Sequence, residues 1–227
     1  VSLAQLLSFS RTGEACVRKQ QERRIMHIAD GVASLPVLVG GGALTVGGVA
    51  IGLSRLKDEQ VPRAALMASV IFVGAVLIRL PIGPSSEHPV LNGLAGLLLG
   101  WTAMPVFLIA LFLQALLFQF GGITSLGINT LTMAVPAVLC YYCFGPLIRR
   151  APTPRRAFAV GVATAVLALS LSFSLWVTAL MLSGKALLVV IKIAALPHLV
   201  LRLRRVFLPG LLLAFSTASI LRYLRRA

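Results

Sequence analysis

"VLNGLAGLLLGWTAMPVFLIALFLQALLFQF" (residues 90–120) runs without one charged side chain. A helix needs about 20 apolar residues to cross a bilayer core, so this run is too long for a single simple span. Gly100 and Pro105 in "LGWTAMP" are helix breakers. They divide the run into a short helix and a longer one. Whether the pair forms a hairpin or one bent span decides which side of a membrane every later loop occupies.

The surrounding charges favour the hairpin. Lys and Arg gather in "RLKDEQVPR" (55–63), "RRAPTPRR" (149–156), "RLRR" (202–205) and "RYLRR" (222–226). The loops "PIGPSSEHPV" (81–90) and "FGGITSLGIN" (120–129) contain no Lys or Arg. Cytoplasmic loops carry the excess of Lys and Arg. A hairpin at 90–120 puts the first two basic loops on one face and both charge-poor loops on the other. A single span would send "RRAPTPRR" outside.

Composition agrees with a membrane protein. The 227 residues are 58% hydrophobic and 12% charged, with a net charge of +15 and a mean hydropathy of +0.95. Soluble domains are about a quarter charged. Apolar runs at 34–53, roughly 64–80, 128–148 and 157–182 flank or follow the hairpin, and 186–224 holds two more segments separated by "RLRR". The expected fold is an all-α polytopic membrane bundle of about seven transmembrane helices. The basic clusters lie between apolar runs without interleaved aromatics, which argues for a membrane surface and against nucleic acid. Cys16, Cys140 and Cys143 make no disulfide framework, and "CYYC" inside an apolar run reads as core or lipid-facing cysteine. No "GxxxxGK[ST]" phosphate loop occurs, so ATP hydrolysis would have to be done by another chain.

The first run, "SLPVLVGGGALTVGGVAIGL" (34–53), places Gly40, Ala43, Gly47 and Ala50 at helical spacing. Small residues at such intervals let another helix approach closely. They serve either packing within this chain or docking of a partner subunit, and the two are compatible.

The histidines are His27, His88 and His198. The hairpin topology brings His27 and His88 to the same, outer face. Two histidines alone are weak evidence of a metal site. Were Met26 the first residue, its α-amine would be free beside a histidine at the second position. Amine, deprotonated amide nitrogen and imidazole Nδ1 would then chelate together, with His88 as a fourth nitrogen. A plane of four nitrogens suits Ni(II) or Cu(II) better than Zn(II). The amine must lose its proton, which its ordinary pKa of about 7.7–8 allows near neutrality. With Ile25 ahead of it, that nitrogen is a peptide amide and the ligand set is lost.

"MHIADG" (26–31), "SSEH" (85–88) and "QALLFQFGGITSLGIN" (114–129) together resemble the CbiM/NikM family, the substrate-binding membrane subunits of energy-coupling-factor (ECF) cobalt and nickel importers. The resemblance covers most of 26–182. It implies a bacterial inner-membrane transport subunit, not an enzyme, whose ion is cargo rather than a cofactor. It implies a metal held by the amine of Met26, the amide nitrogen and imidazole of His27, and the imidazole of His88. Asp30, Glu87, Asn92, Gln114, Thr124 and Asn129 fall on or beside matching motifs and are candidates for holding loops or orienting imidazoles. The implied partners are a transmembrane coupling subunit, cytoplasmic ATPase subunits, a small accessory membrane subunit and the surrounding lipid. Neighbouring cobalamin-synthesis or nickel-enzyme genes would suggest which ion is carried.

Two stretches depart from the family pattern. Residues 1–25 precede the expected start and lack the order of a signal peptide, since their basic residues follow the brief apolar part. They read as a mis-assigned extension, Val1 being the literal translation of a GTG codon. The expected organisation is then 1–25 as extension and 26–227 as one transmembrane metal-binding domain. The tail from 186 has no acidic residue, and its last segment is expected to bend back or lie at the interface. His198 there is assigned a structural role. Rival readings are a membrane-embedded metal-dependent hydrolase, which would need an acid or nucleophile beside an open metal position, and a structural membrane protein without ligand.

Overall fold

Gly100 turns the chain back on itself. It adopts φ +56, a left-handed conformation that glycine takes at little cost, inside a short 3-10 turn at Gly100–Thr102. The turn joins helix α3 (Asn92–Leu99) to helix α4 (Ala103–Phe118). The computed structural model describes residue 28 and residues 30–77, 80–82, 85–87, 92–118, 121–149 and 153–184.

The other helices follow the apolar runs. Helix α1 is Leu35–Ser54, with Pro36 in its first turn where a missing N–H costs nothing. A short turn at Asp58–Gln60 leads to α2, Val61–Leu77. Helix α5 is Leu126–Arg149, and α6 is Pro154–Leu182, capped by the hydroxyl of Thr153 accepting from the Arg156 N–H. Between α2 and α3 the chain departs from the simple loop expected there. Strands β1 (Leu80–Ile82) and β2 (Ser85–Glu87) pair antiparallel, with Leu80 opposite Glu87 and Ile82 opposite Ser85.

Close contacts fix the direction of each arm of the hairpin. A β-carbon on Gly96 would overlap the Ala137 carbonyl, and one on Gly100 would meet the Tyr141 ring. Four residues along α3 therefore match four along α5, so the two run in parallel. Helix α4 returns the opposite way, with its last residue, Phe118, reaching the ring of Phe72 at 5.9 Å near the far end of α2. Helix α5 is central: it packs on α1, α3, α4 and α6. Its Met133 and Ala137 share a core with Phe107 and Leu111 of α4 and Met67 and Ile71 of α2.

Basic residues collect at the end where the hairpin turns. There the Arg55 guanidinium stands 5.3 Å from the Trp101 ring centre, and the Trp101 indole N–H donates to the Tyr142 hydroxyl at 2.7 Å. Lys57, Arg63 and Arg156 belong to the same end by chain connection, as the positive-inside rule requires. Among the described residues, four helical stretches are long and apolar enough to cross a membrane: Leu35–Ser54, Asn92–Phe118, Leu126–Ile148 and Arg156–Leu182. The second of these is the one Gly100 breaks. The fold is an all-α polytopic membrane bundle. The two further segments expected within 186–224, and with them the count of about seven, lie outside the described residues.

Helix α1 carries small residues on two faces. Gly41, Thr45, Gly48 and Gly52 are buried against α5 and α4, and the Thr45 hydroxyl donates to the Gly127 carbonyl at 2.7 Å. A β-carbon on Gly48 would strike the Met104 methyl, and one on Gly52 would reach Pro105. Gly40, Ala43, Gly47 and Ala50 lie on the exposed face, and Gly40 and Gly47 have open space around them.

Candidate metal centre

Ile28 is where the amino-terminal segment is fastened. It is 2% exposed and shares a small core with Ala179 and Leu180 of α6, against which Trp176 also packs. The Asn129 side chain pairs both of its backbone groups: the Ile28 N–H donates to Oδ1 at 2.9 Å, and Nδ2 donates to the Ile28 carbonyl at 3.0 Å. The Ser125 hydroxyl donates to the same carbonyl at 2.5 Å. A buried residue outside helix and strand needs such partners, because an unpaired backbone group in the interior is costly. An asparagine amide is shaped for the task, since it presents one donor and one acceptor side by side.

Asp30 makes the second fastening, two residues on. Its Oδ1 accepts from the Thr124 N–H at 3.1 Å, from the Ser125 N–H at 3.3 Å, and from the Thr124 hydroxyl. Those N–H groups lie at the start of α5, where the first turn lacks internal acceptors. A carboxylate there also meets the positive end of the helix dipole. Asp30 is thus a helix cap supplied from another part of the chain. Gly122 makes room for it, because a β-carbon at that position would overlap the carboxylate. A third tie joins the entry of α1 to the end of α6, where the Ser34 N–H donates to the Ser183 hydroxyl at 3.1 Å.

Of the residues singled out in the sequence, Asp30, Thr124 and Asn129 come together at this corner. Asn92 and Gln114 are buried in α3 and α4, and Asn92 Nδ2 donates to the Ser172 hydroxyl at 3.0 Å. Neither bonds to the Asp30–Asn129 corner. Glu87 ends β2. Met26, His27, His88 and His198 lie outside the described residues. Among the described residues, no three His, Cys, Asp or Glu side chains gather into a metal-binding group.

Sequence reasoning missed Ile28, Ser125, Ser172, Trp176 and Ser183. Ser125 sits inside the quoted "FGGITSLGIN" and was within reach. Ser183 had no local signal, since its partner Ser34 is 149 positions away.

Residues 27–227 match the family described as "CbiM: Cobalt uptake substrate-specific transmembrane region". A Haemophilus influenzae protein named for metal transport is 42% identical over 159 residues, which is 70% of this chain and 77% of that protein. The fused nickel transport protein NikMN of Rhodobacter capsulatus is 38% identical over 116 residues, 48% of this chain and 33% of its own length. The cobalt transport protein CbiM of Sorangium cellulosum is 33% identical over 133 residues, 55% of this chain and 59% of its own. The crystal structure of a truncated transition metal transporter superposes with a TM-score of 0.63 at 22% identity, covering 88% of this chain and 99% of that one, and so shares the fold. This chain belongs to the CbiM family of substrate-specific transmembrane components of metal uptake.

Proposed function

We propose that this protein captures Ni(II) or Co(II) at the outer end of its bundle for an ECF-type importer. The ion is cargo, and the ligands are the amine of Met26, the amide nitrogen and imidazole of His27, and the imidazole of His88. The observation that carries the reading is the double fastening of the chain immediately after His27. Asn129 and Ser125 hold Ile28, and Asp30 caps α5, so the chain is pinned one residue from its proposed ligands. Pre-organising a ligand segment in this way lowers the ordering cost of binding. On this reading residues 26–227 form one metal-binding domain of about seven helices. Glu87 is a further orienting candidate, next in sequence to His88.

The partners follow from the same reading: a transmembrane coupling subunit, cytoplasmic ATPases and a small accessory membrane subunit. Gly40, Ala43, Gly47 and Ala50 on the open face of α1 are the proposed docking surface for the coupling subunit. Nucleotide hydrolysis on the ATPases would then reshape the assembly and release the ion inward.

The test compares chains beginning at Met26 and at Val1, with Ni(II) and Co(II) affinity measured for each. Tight binding confined to the Met26 form is expected, lost on replacing His27 or His88 and kept on replacing His198. Equal binding by an intact Val1 form would overturn the amino-terminal chelate.

A further inference from the structure

At the end of the bundle where the hairpin turns, three elements meet around one phenol. Arg55 directly follows α1, Trp101 sits in the hairpin turn, and Tyr142 lies on α5. The Tyr142 hydroxyl accepts from the Trp101 indole N–H at 2.7 Å and from the Arg55 guanidinium at 3.4 Å. The guanidinium also stands against the Trp101 ring, held by the attraction of a cation for a π-face. Gly52 lets α1 come this close, because a β-carbon there would collide with the Trp101 carbonyl and Pro105.

The cluster is rich in unspent donors. A phenol oxygen that accepts twice still carries its own O–H, and a guanidinium has several N–H bonds. Among the described residues that O–H finds no acceptor, and no carboxylate pairs with Arg55. Both side chains are exposed, and so is Lys57, two residues on, which adds a second cation. The nearest acids in sequence, Asp58 and Glu59, begin the short turn into α2. Donors without acceptors suit an anion, and a guanidinium fork suits a phosphate. The surroundings decide which phosphate. Ile51, one turn before Arg55, and Leu139, one turn before Tyr142, are large apolar side chains left exposed on the bilayer side. Helix α1 is an apolar span of 20 residues, so Arg55 emerges at the depth where lipid headgroups begin. Trp and Tyr favour that depth too. A donor set edged by apolar surface fits an amphiphile better than a free ion.

We propose that Arg55 and Tyr142, braced by Trp101, bind the phosphate of an anionic phospholipid in the cytoplasmic leaflet, with its acyl chains along Ile51 and Leu139. The guanidinium and the phenol O–H donate to phosphate oxygens. A zwitterionic headgroup brings an ammonium that Arg55 and Lys57 repel, so the anionic lipid is preferred. Basic loops attract acidic lipid in a general way through charge alone. This site differs because part of its affinity comes from an uncharged hydroxyl. It lies at the opposite end of the bundle from the Asp30–Asn129 corner and does not depend on the proposed chelate.

The test uses the full chain in micelles holding equal phosphatidylglycerol and phosphatidylcholine, with retained lipid counted by native mass spectrometry. The parent should retain phosphatidylglycerol preferentially. Tyr142→Phe, which keeps every charge, and Arg55→Gln should each reduce that preference at least about fivefold. Arg156→Gln, a change of charge elsewhere at the same end, should retain most of it. Unfolding midpoints in phosphatidylcholine alone should stay near the parent's in all three, since the altered groups are exposed. Parent-like preference in Tyr142→Phe and Arg55→Gln would overturn the site, and co-purification of importer subunits lost in those variants would assign the surface to a protein partner instead. A loss in Arg156→Gln equal to that in Arg55→Gln would reduce the effect to general attraction. Displacement of phosphatidylglycerol from the parent by inorganic phosphate would make the ligand a free anion and overturn the lipid.

Discussion

Asn129 holds Ile28 by both ends of one amide, accepting from its N–H at 2.9 Å and donating to its carbonyl at 3.0 Å. The pair spans 101 positions of sequence and joins the amino-terminal segment to the central helix. Asn129→Ala strands the Ile28 N–H in the interior, while Ser125 still serves the carbonyl. The cost is about 1–3 kcal/mol. Metal affinity falls by at least about tenfold as the ligand segment loosens. Asn129→Asp keeps the acceptor for the N–H but sets a buried carboxylate oxygen against the Ile28 carbonyl, so it is expected to be at least as damaging as Asn129→Ala. Calorimetric titration with Ni(II) orders the three proteins.

Asp30 and Gly122 act as one unit. Asp30→Ala removes the cap from α5, a loss of about 1 kcal/mol. Gly122→Ala drives a β-carbon into the same carboxylate and displaces the cap by another route. The double variant is then less damaged than the two single effects added together, because the second change has nothing left to displace. Unfolding midpoints of the four proteins in detergent measure that coupling. Strict additivity would show that the residues act separately.

The fold was legible where charge and breakers spoke together. Gly100 and the parity of the basic loops were enough to read a hairpin in 90–120, and the structure bends there. The strand pairing of Leu80–Ile82 with Ser85–Glu87 was not legible, because "LPI" and "SSE" lack the alternation of apolar and polar residues that marks a strand. The fastening corner was half legible. "MHIADG" and "FGGITSLGIN" each stood out, but nothing local says that the aspartate of one caps the helix of the other. On α1 the small residues recur all round the helix, so the period alone could not say which would be buried.

Proton release would give the proposed amino-terminal chelate a pH signature. In the proposed chelate, binding through the His27 amide nitrogen would expel one proton at any pH near neutrality. Below the ordinary amine pKa of about 7.7–8 it also expels the proton of the Met26 ammonium. Affinity is therefore expected to rise with pH by about three decades per unit near 6.5, where the imidazoles also lose protons, by about two between about 7 and 7.7, and by about one well above 8. Acetylating the amine removes the chelate altogether, whereas a site made only of histidines would keep its affinity. Dissociation constants measured from pH 6.5 to 9 on the Met26 chain, free and acetylated, distinguish the two.

The two small-residue faces of α1 predict opposite outcomes from neighbouring substitutions. Gly48 lies against Met104, where even a β-carbon overlaps the thioether methyl. Gly48→Leu therefore forces α1 away from α4 and lowers stability by roughly 1–3 kcal/mol, as overpacking does. Gly47, one position earlier, has nothing within 4 Å. Gly47→Leu should leave the unfolding midpoint and Ni(II) affinity of the isolated subunit near the parent's. If the open face docks the coupling subunit, the same leucine holds the partner helix off by the width of a side chain and abolishes the close approach that small residues permit. Co-purification of the importer subunits then fails for Gly47→Leu although the isolated subunit is intact. Full assembly and uptake with Gly47→Leu would instead assign that face to lipid, and the docking surface would have to be sought on another helix.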